Sequence, residues 1–362
     1  MSTKLLTLLL NGGTYLAIIP PLKKQNLCVY KFYVFAMSAF IITGVIITSY
    51  IQNFYSDFVL IKQVVWLVED TFLISLNLYV VNILGLRKRK QWKDLIECLK
   101  ATENLIFVKL NKRKFPYYLE FIIANLVHFS LATYEYIFWA RSVGILFLKQ
   151  HFIRYLQMYL NFYCIFLLCV VTNMILARYK GLKAIIMTQC KSHTHLNNNS
   201  VLNFTSKIEK NMFFLKKTVD VYNTMFGWTL FLIISLTTVQ ILNYIDHIIY
   251  YTEDQSSQVQ VVLLSIAIVT WIFLGALVLI LLCSFVEQEA EEIVRISYDI
   301  RLRLAGNLNL QCYKMQEFTN FLIKNLPKFT AANFFYIERS TILSILGTVS
   351  TFLIILIQFR KQ

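Results

Sequence analysis

Long apolar stretches separated by polar, mostly basic segments dominate the pattern of this 362-residue chain. A membrane-spanning helix needs about 20 mostly apolar residues, and seven stretches satisfy that requirement. These stretches lie near Cys28–Tyr50, Phe58–Leu86, Leu119–Trp139, Phe152–Ala177, Met225–Tyr250, Val259–Val286 and Thr341–Phe359. All four prolines fall between the stretches, so none interrupts a span. The pattern predicts an all-α integral membrane protein with seven transmembrane helices.

The basic residues predict how the spans are oriented. Segments 1–27, 87–118, 178–224 and 287–340 together hold 28 of the 35 Lys and Arg residues. These segments alternate along the chain and therefore share one side of the membrane. Because Lys and Arg are retained on the cytoplasmic side, we expect the N-terminus inside and, with seven spans, the C-terminus outside.

The segments between the spans predict long helical extensions into the cytosol. Ile293, Ile296, Ile300 and Leu304 recur at helical spacing, so span 6 should continue beyond the membrane as an amphipathic helix. The predicted organisation has four parts. They are a cytosolic N-terminal segment (1–27), spans 1–6 with basic cytosolic loops (28–286), a cytosolic helical anchor (287–340), and a last span with a short outer tail (341–362).

Composition narrows the class of protein. Apolar residues make up 57% of the chain and charged residues only 15%, which excludes a soluble globular protein. The net charge of +15 would suggest nucleic acid binding in a soluble protein. In a membrane protein it indicates basic loops at an anionic leaflet, so no nucleic acid partner is expected. The sequence contains no phosphate-binding loop, nucleophile elbow or metal-binding motif. No enzyme activity, cofactor or metal site is predicted.

Polar residues within the spans indicate where a ligand could bind, because such groups usually face a cavity or a partner. They include Glu69, Asp70, His128, Glu135, Arg154, Asn161, Gln240, Asn243 and Asp246. Several lie in the predicted outer halves of spans 3, 4 and 5, beside aromatic side chains. A pocket with aromatic walls and a few polar groups is typical of small-molecule sites. The candidate ligand-binding residues are Glu135, Trp139, Arg154, Tyr155, Asn243, Asp246 and Trp271. The alternative is that the charged groups pair structurally and the aromatic residues form an interfacial belt.

The last span carries a polar stripe on one face. Ser344, Thr348, Thr351, Ile355 and Gln358 recur at intervals of three and four residues, opposite a face of Leu, Ile and Phe. A stripe of this kind can line a water-filled path, or it can form a close helix–helix interface. Because one helix cannot enclose a pore, the first interpretation requires several copies of the chain.

The C-terminal residues resemble a known family. The segment Thr351-Phe352-Leu353-Ile354-Ile355-Leu356-Ile357-Gln358-Phe359 resembles the insect gustatory receptor signature of Thr, Tyr, five apolar residues, Gln and Phe. The preceding segment 329–339 is similar to the one that leads into the last span of that family. Two positions depart from the pattern: Phe352 replaces the usual Tyr, and Glu338 stands where Asp or Asn is commoner.

The resemblance implies a ligand-gated, non-selective cation channel in the plasma membrane of a chemosensory neuron. It implies four identical or related subunits around a central pore, which narrows at Gln358 and Phe359. It also implies a tastant pocket in each subunit. The aromatic character of the candidate pocket favours plant-derived, bitter-type or other small organic compounds over sugars.

Two other classes remain as alternatives. A G-protein-coupled receptor would have the opposite charge bias and an acid-Arg-aromatic triplet at the inner end of span 3. A secondary transporter usually has internal repeats and spans broken by Gly or Pro, whereas seven spans do not divide into halves.

Overall fold

The computed structural model describes residues 3–21, 27–51, 60–105, 117–143, 146–192, 198–252, 259–304 and 309–360. Within these ranges the chain forms ten α-helices and one short β-hairpin. The helices are α1 (Thr3–Tyr15), α2 (Leu27–Ile51), α3 (Leu60–Tyr79), α4 (Arg89–Ala101), α5 (Tyr117–Val143), α6 (Leu146–Ser192), α7 (Asn198–Thr252), α8 (Val259–Leu304), α9 (Asn309–Lys324) and α10 (Arg339–Arg360). The hairpin strands are β1 (Thr330–Ala331) and β2 (Phe335–Tyr336), which pair antiparallel.

The helices confirm the predicted all-α membrane fold. Among the described residues, six helices are long and apolar enough to cross a membrane: α2, α3 with its continuation, α5, α6, α7 and α8. Helix α10 covers the seventh predicted span and has a shorter apolar stretch, Arg339–Ile355. Residues 58–59, at the start of the second predicted span, lie outside the described residues. Large apolar side chains on α2 and α5 are exposed, as expected of helices that face lipid. The direction of insertion stays a prediction.

Helices α6, α7 and α8 form the centre of the molecule and pack against one another. They contain 47, 55 and 46 residues. At about 1.5 Å per residue each is much longer than the roughly 30 Å hydrocarbon core of a bilayer. One end of each helix therefore extends beyond its span, which confirms the predicted helical continuation of span 6. The extensions have their own core, in which the rings of Tyr222, Phe226 and Phe329 pack together.

Helix α4 is amphipathic and packs against the extension of α7. Trp92, Leu95 and Leu99 are buried, and the Trp92 ring meets the Phe226 ring edge to face at 5.4 Å. Burial also raises the pKa of the Cys98 thiol, so Cys98 packs as a small neutral group.

Arg178 of α6 holds the other end of helix α4. Its Nη2 donates to the Leu99 carbonyl at 2.7 Å, and its Nε donates to Thr102 Oγ1 at 3.0 Å. A guanidinium at a helix C-terminus is also favoured by the helix dipole. Helix α4 is therefore fixed along its whole length.

Between α3 and α4 the chain forms a π-helical segment, Val80–Arg87. Sequence periodicity did not predict it, because the apolar run continues through it without a break. Gly85 allows the turn after α1 to come close, since a Cβ at this position would lie 2.1 Å from the Ala17 carbonyl oxygen.

The predicted helical anchor 287–340 requires one correction. Helix occupies the extension of α8 and α9, but the β-hairpin interrupts the segment before α10. Ala332 and Asn333 both have positive φ angles, 51° and 62°, and the Phe334 amide donates to the Ala331 carbonyl at 2.9 Å. Asn tolerates this left-handed conformation, but Ala gives no local signal for it.

Candidate ligand cavity and pore helix

An ionic cluster joins α3, α6 and α7 near the end of the bundle opposite the helical extensions. Arg154 Nη2 lies 2.5 Å from Glu69 Oε1, and Arg154 Nη1 lies 3.2 Å from Asp70 Oδ1. The Asn243 amide donates to the other Glu69 oxygen, Oε2, at 2.5 Å. The guanidinium also lies 4.8 Å from the centre of the Trp66 ring. Glu69 is fully buried, and both of its oxygens are bonded within the chain.

A second acidic side chain extends this cluster towards α5. Glu135 Oε1 accepts a hydrogen bond from the Tyr244 hydroxyl at 3.4 Å, and the Tyr155 hydroxyl lies beside the Glu135 carboxylate. Asp246 is buried one turn beyond Asn243 on α7. Trp139 is half-buried on α5 and meets the ring of Phe138. The structure thus brings together four of the predicted residues: Arg154 and Asn243 around Glu69, and Tyr155 beside Glu135.

A cavity of about 380 Å³ opens one helical turn from this cluster. Its walls come from α5, α6 and α8, with one residue from α7. Its lining includes His128, Met158, Asn161, Phe162, Gln240 and Trp271. Of the seven predicted ligand-binding residues, only Trp271 lines it. The cavity lies alongside the middle of the spans, nearer to the helical extensions than the ionic cluster.

Aromatic rings form one wall of the cavity. The imidazole of His128 stacks on Phe162, with 4.5 Å between ring centres and 14° between planes. Phe162 in turn stacks on Trp271 at 6.0 Å and 29°. The indole Nε1 of Trp271 donates to His128 Nδ1 at 3.4 Å. This contact links α5 to α8 and holds both rings in place against the cavity.

Besides His128, the polar side chains that line the cavity are Glu120, Asn161, Asn173 and Gln240. Asn161 Oδ1 and Gln240 Oε1 are both buried and accept no hydrogen bond from the residues that the structure describes. The Gln240 amide nitrogen contacts Met158 Sδ at 3.2 Å, which holds its oxygen in place. A buried acceptor without a donor costs about 1–3 kcal/mol. A ligand that carries an N–H or O–H group could remove that cost.

Sequence reasoning identified Asn161 and Gln240 only as polar residues within spans. Nothing in their neighbourhood along the chain distinguishes them from Asn243, whose amide nitrogen is paired with a carboxylate. The helical spacing of Asn161, Phe162 and Ile165 shows which residues share part of α6, but not which neighbouring helix they face.

Helix α10 is held by one narrow face. Thr341, Ile345 and Val349 are buried at intervals of four residues, and the helix contacts α7 and α8. The predicted pore residues Thr348, Thr351, Ile355 and Gln358 are all exposed. The hydroxyls of Thr348 and Thr351 donate to carbonyls of their own helix at 2.9 Å. Phe359 belongs to α10, but its side chain lies outside what the structure describes.

Helix α8 connects the cavity to the base of α10. Its residues Trp271–Leu282 include the cavity wall. A few residues further on, Glu287 Oε1 accepts the Phe329 amide at 3.0 Å. Arg339, at the start of α10, donates to Ser284 Oγ at 3.2 Å and to Gln288 Oε1 at 3.0 Å. One continuous helix therefore contacts both the cavity and the root of the last span.

The helical bundle, the cavity between its helices and the exposed last helix define a multi-pass membrane receptor. The family model for the 7tm chemosensory receptor matches residues 6–362. The chain therefore belongs to the 7tm chemosensory receptor family, which consists of receptors rather than enzymes.

Solved structures agree with this fold. The chain is similar to the insect olfactory receptor OR5 from Machilis hrabei in complex with eugenol, with a TM-score of 0.66, 14% identity and 97% of each chain covered. A second structure of the same receptor gives a TM-score of 0.57 with 15% identity and 98% of each chain covered. No curated protein sequence matches the chain.

Proposed function

We propose that the chain is a gustatory receptor subunit that forms a tastant-gated, non-selective cation channel in the plasma membrane. The observation that supports this most directly is the continuity of α8. A ligand that displaces the cavity wall at Trp271 would move the residues that hold Arg339 at the base of α10. Motion in the cavity would therefore reach the last helix through a rigid element and not through a loop.

The chemistry of the cavity supports a small aromatic ligand with a hydrogen-bond donor. The stacked rings of His128, Phe162 and Trp271 offer an aromatic surface, and the two amide oxygens offer acceptors. A volume of about 380 Å³ lies within the range of sites for small molecules. Plant phenols combine an aromatic ring with one or more O–H donors. The aromatic and aliphatic side chains that make up most of the lining favour such a compound over a sugar.

The polar network has a supporting role in this proposal. Because Arg154 and the Asn243 amide nitrogen both bind the Glu69 carboxylate, the network fixes the relative positions of α3, α6 and α7. It would thereby fix the position of the cavity end that lies one helical turn from the network. Glu135 and Tyr155 would act through the same framework and not through contact with the ligand.

The exposed stripe on α10 supports a pore made by several copies of the chain. Four identical or related subunits would place Thr348, Thr351 and Ile355 around an axis, with Gln358 and Phe359 at the narrowest level. A ring of Phe359 side chains would close the path by excluding water. The Gln358 amides would offer oxygens to a partly hydrated cation.

The test is current in a cell that expresses only this chain, recorded while small plant phenols such as eugenol are applied. We expect a cation current that depends on the compound. Phe359→Ala should add current without ligand, because the smaller side chain wets the constriction. Cysteines at Thr351 and Ile355 should react with aqueous thiol reagents when the channel is open, whereas a cysteine at Leu353 should not. No current from any compound, together with a silent Phe359→Ala variant at normal surface level, would contradict the proposal.

A further inference from the structure

The junction between the second span and α4 carries a dense group of positive charges. The sequence Arg87-Lys88-Arg89-Lys90 follows the apolar π-helical segment directly, and Lys93 comes within the next turn. The first turn of α4 contains no acidic residue, and Lys88 forms no side-chain cap at its start. Since a helix N-terminus carries partial positive charge, these lysines and arginines add to it and nothing on α4's first turn offsets it.

The side chains in this group are used differently. Lys88 Nζ donates to the Thr224 carbonyl of α7 at 3.0 Å, which ties the junction to the neighbouring helix. Arg87, Lys90 and Lys93 are instead all exposed, with Arg87 at the end of the π-helical segment and Lys90 and Lys93 on the first turns of α4. Within the described part of the chain, none of these three forms an ion pair.

The position of the three side chains relative to the bilayer follows from the packing of α4. Its Trp92 ring contacts Phe226, which lies where α7 enters its predicted span. The N-terminal end of α4 is therefore level with the membrane boundary. Lys90 and Lys93 both lie within about 6 Å of the start of α4 along its axis, and Arg87 precedes that start by two residues, so all three lie within the headgroup region.

We propose that Arg87, Lys90 and Lys93 form a binding site for the headgroup of an anionic phospholipid. The three cations face the layer in which phosphate and carboxylate groups of lipids lie, and α4 is held rigidly by Trp92 and Arg178. Basic clusters next to a membrane span gain about 1 kcal/mol per charge from an anionic surface, or roughly fivefold in affinity for each.

The experiment measures energy transfer from protein tryptophan to dansyl-labelled phosphatidylserine. The full-length chain is purified in a neutral detergent, and the labelled lipid is titrated in mixed micelles. The variant Arg87→Gln/Lys90→Gln removes two charges at the junction. The control Lys100→Gln/Lys210→Gln removes one exposed charge from α4 and one from the extension of α7. Both positions lie farther from the membrane span than Arg87 and Lys90. Labelled phosphatidylcholine reports binding that does not depend on charge.

The junction variant should bind phosphatidylserine at least tenfold more weakly, and the control should stay within twofold of the unmodified chain. All proteins should bind phosphatidylcholine alike, which also shows that the variants are folded. Equal losses in the two double variants would overturn the proposal, because the effect would then be one of net charge. Displacement of the lipid by an equal concentration of inorganic phosphate would also overturn it, since the site would then take soluble anions.

Discussion

Two groups of buried polar side chains lie one helical turn apart in this protein, and they are satisfied in different ways. In the ionic cluster, one Glu69 oxygen accepts a hydrogen bond from Arg154 and the other accepts one from the Asn243 amide nitrogen. In the cavity, the oxygens of Asn161 and Gln240 receive no donor from the described residues. Both groups are costly in a membrane interior. The Glu69 charge is compensated within the chain, although Asn243 Oδ1 accepts no hydrogen bond from the described residues. The oxygens of Asn161 and Gln240 instead line a cavity, where we propose that a ligand supplies the donor.

The largest effect is expected at the centre of the ionic cluster. Glu69→Gln keeps the shape of the side chain but removes its charge, which leaves the Arg154 guanidinium with Asp70 alone. Removing one partner of a buried ion pair costs about 3–5 kcal/mol. The midpoint of thermal unfolding in detergent should fall clearly. Glu97→Gln changes an exposed carboxylate on α4 and should leave the midpoint unchanged. Similar midpoints for both variants would show that the cluster is not structural.

The opposite result is expected in the cavity. Asn161→Leu and Gln240→Leu each remove a buried acceptor without a donor, so neither should lower the unfolding midpoint. Each should raise the ligand concentration for half-activation by about five- to thirtyfold, the loss of one hydrogen bond worth about 1–2 kcal/mol.

A matched amide on another helix provides the control. Asn82 Nδ2 donates to Ser38 Oγ at 2.9 Å, so Asn82→Leu should lower the unfolding midpoint and leave ligand sensitivity unchanged. If Asn161→Leu and Asn82→Leu behaved alike, the distinction between paired and unpaired amides would have no functional meaning.

The sequence predicted the helices far better than it predicted the cavity, and the reason is physical. A span is defined by about 20 neighbouring apolar residues, so Val259–Val286 could be recognised within its own helix. The role of Arg154 depends on Glu69, 85 residues away in sequence. Asn161 depends on α7 and α8 in the same way. Local pattern shows that a polar side chain is buried, but not whether another helix supplies its partner.

A smaller effect on ligand sensitivity is expected when the tryptophan of the cavity, and not the tryptophan near the ionic cluster, is replaced. Trp271→Phe keeps most of the ring surface but removes the N–H that bonds to His128. If the free energy of ligand binding falls by about 1 kcal/mol, the half-activating ligand concentration should rise roughly fivefold. Trp139→Phe, outside the cavity, should leave it unchanged. A larger shift at Trp139 than at Trp271 would move the ligand site to the cluster that the sequence first suggested.

The most direct test of the account compares each phenol that opens the channel with its O-methyl ether. The ether has nearly the same shape but lacks the O–H donor. In the unmodified chain, the phenol should act at a concentration at least fivefold lower than the ether, because Asn161 and Gln240 supply acceptors. In the variant Asn161→Leu/Gln240→Leu, the two compounds should act at the same concentration. A phenol preference that survives unchanged in this double variant would show that the ligand's donor is recognised elsewhere, and would contradict the account.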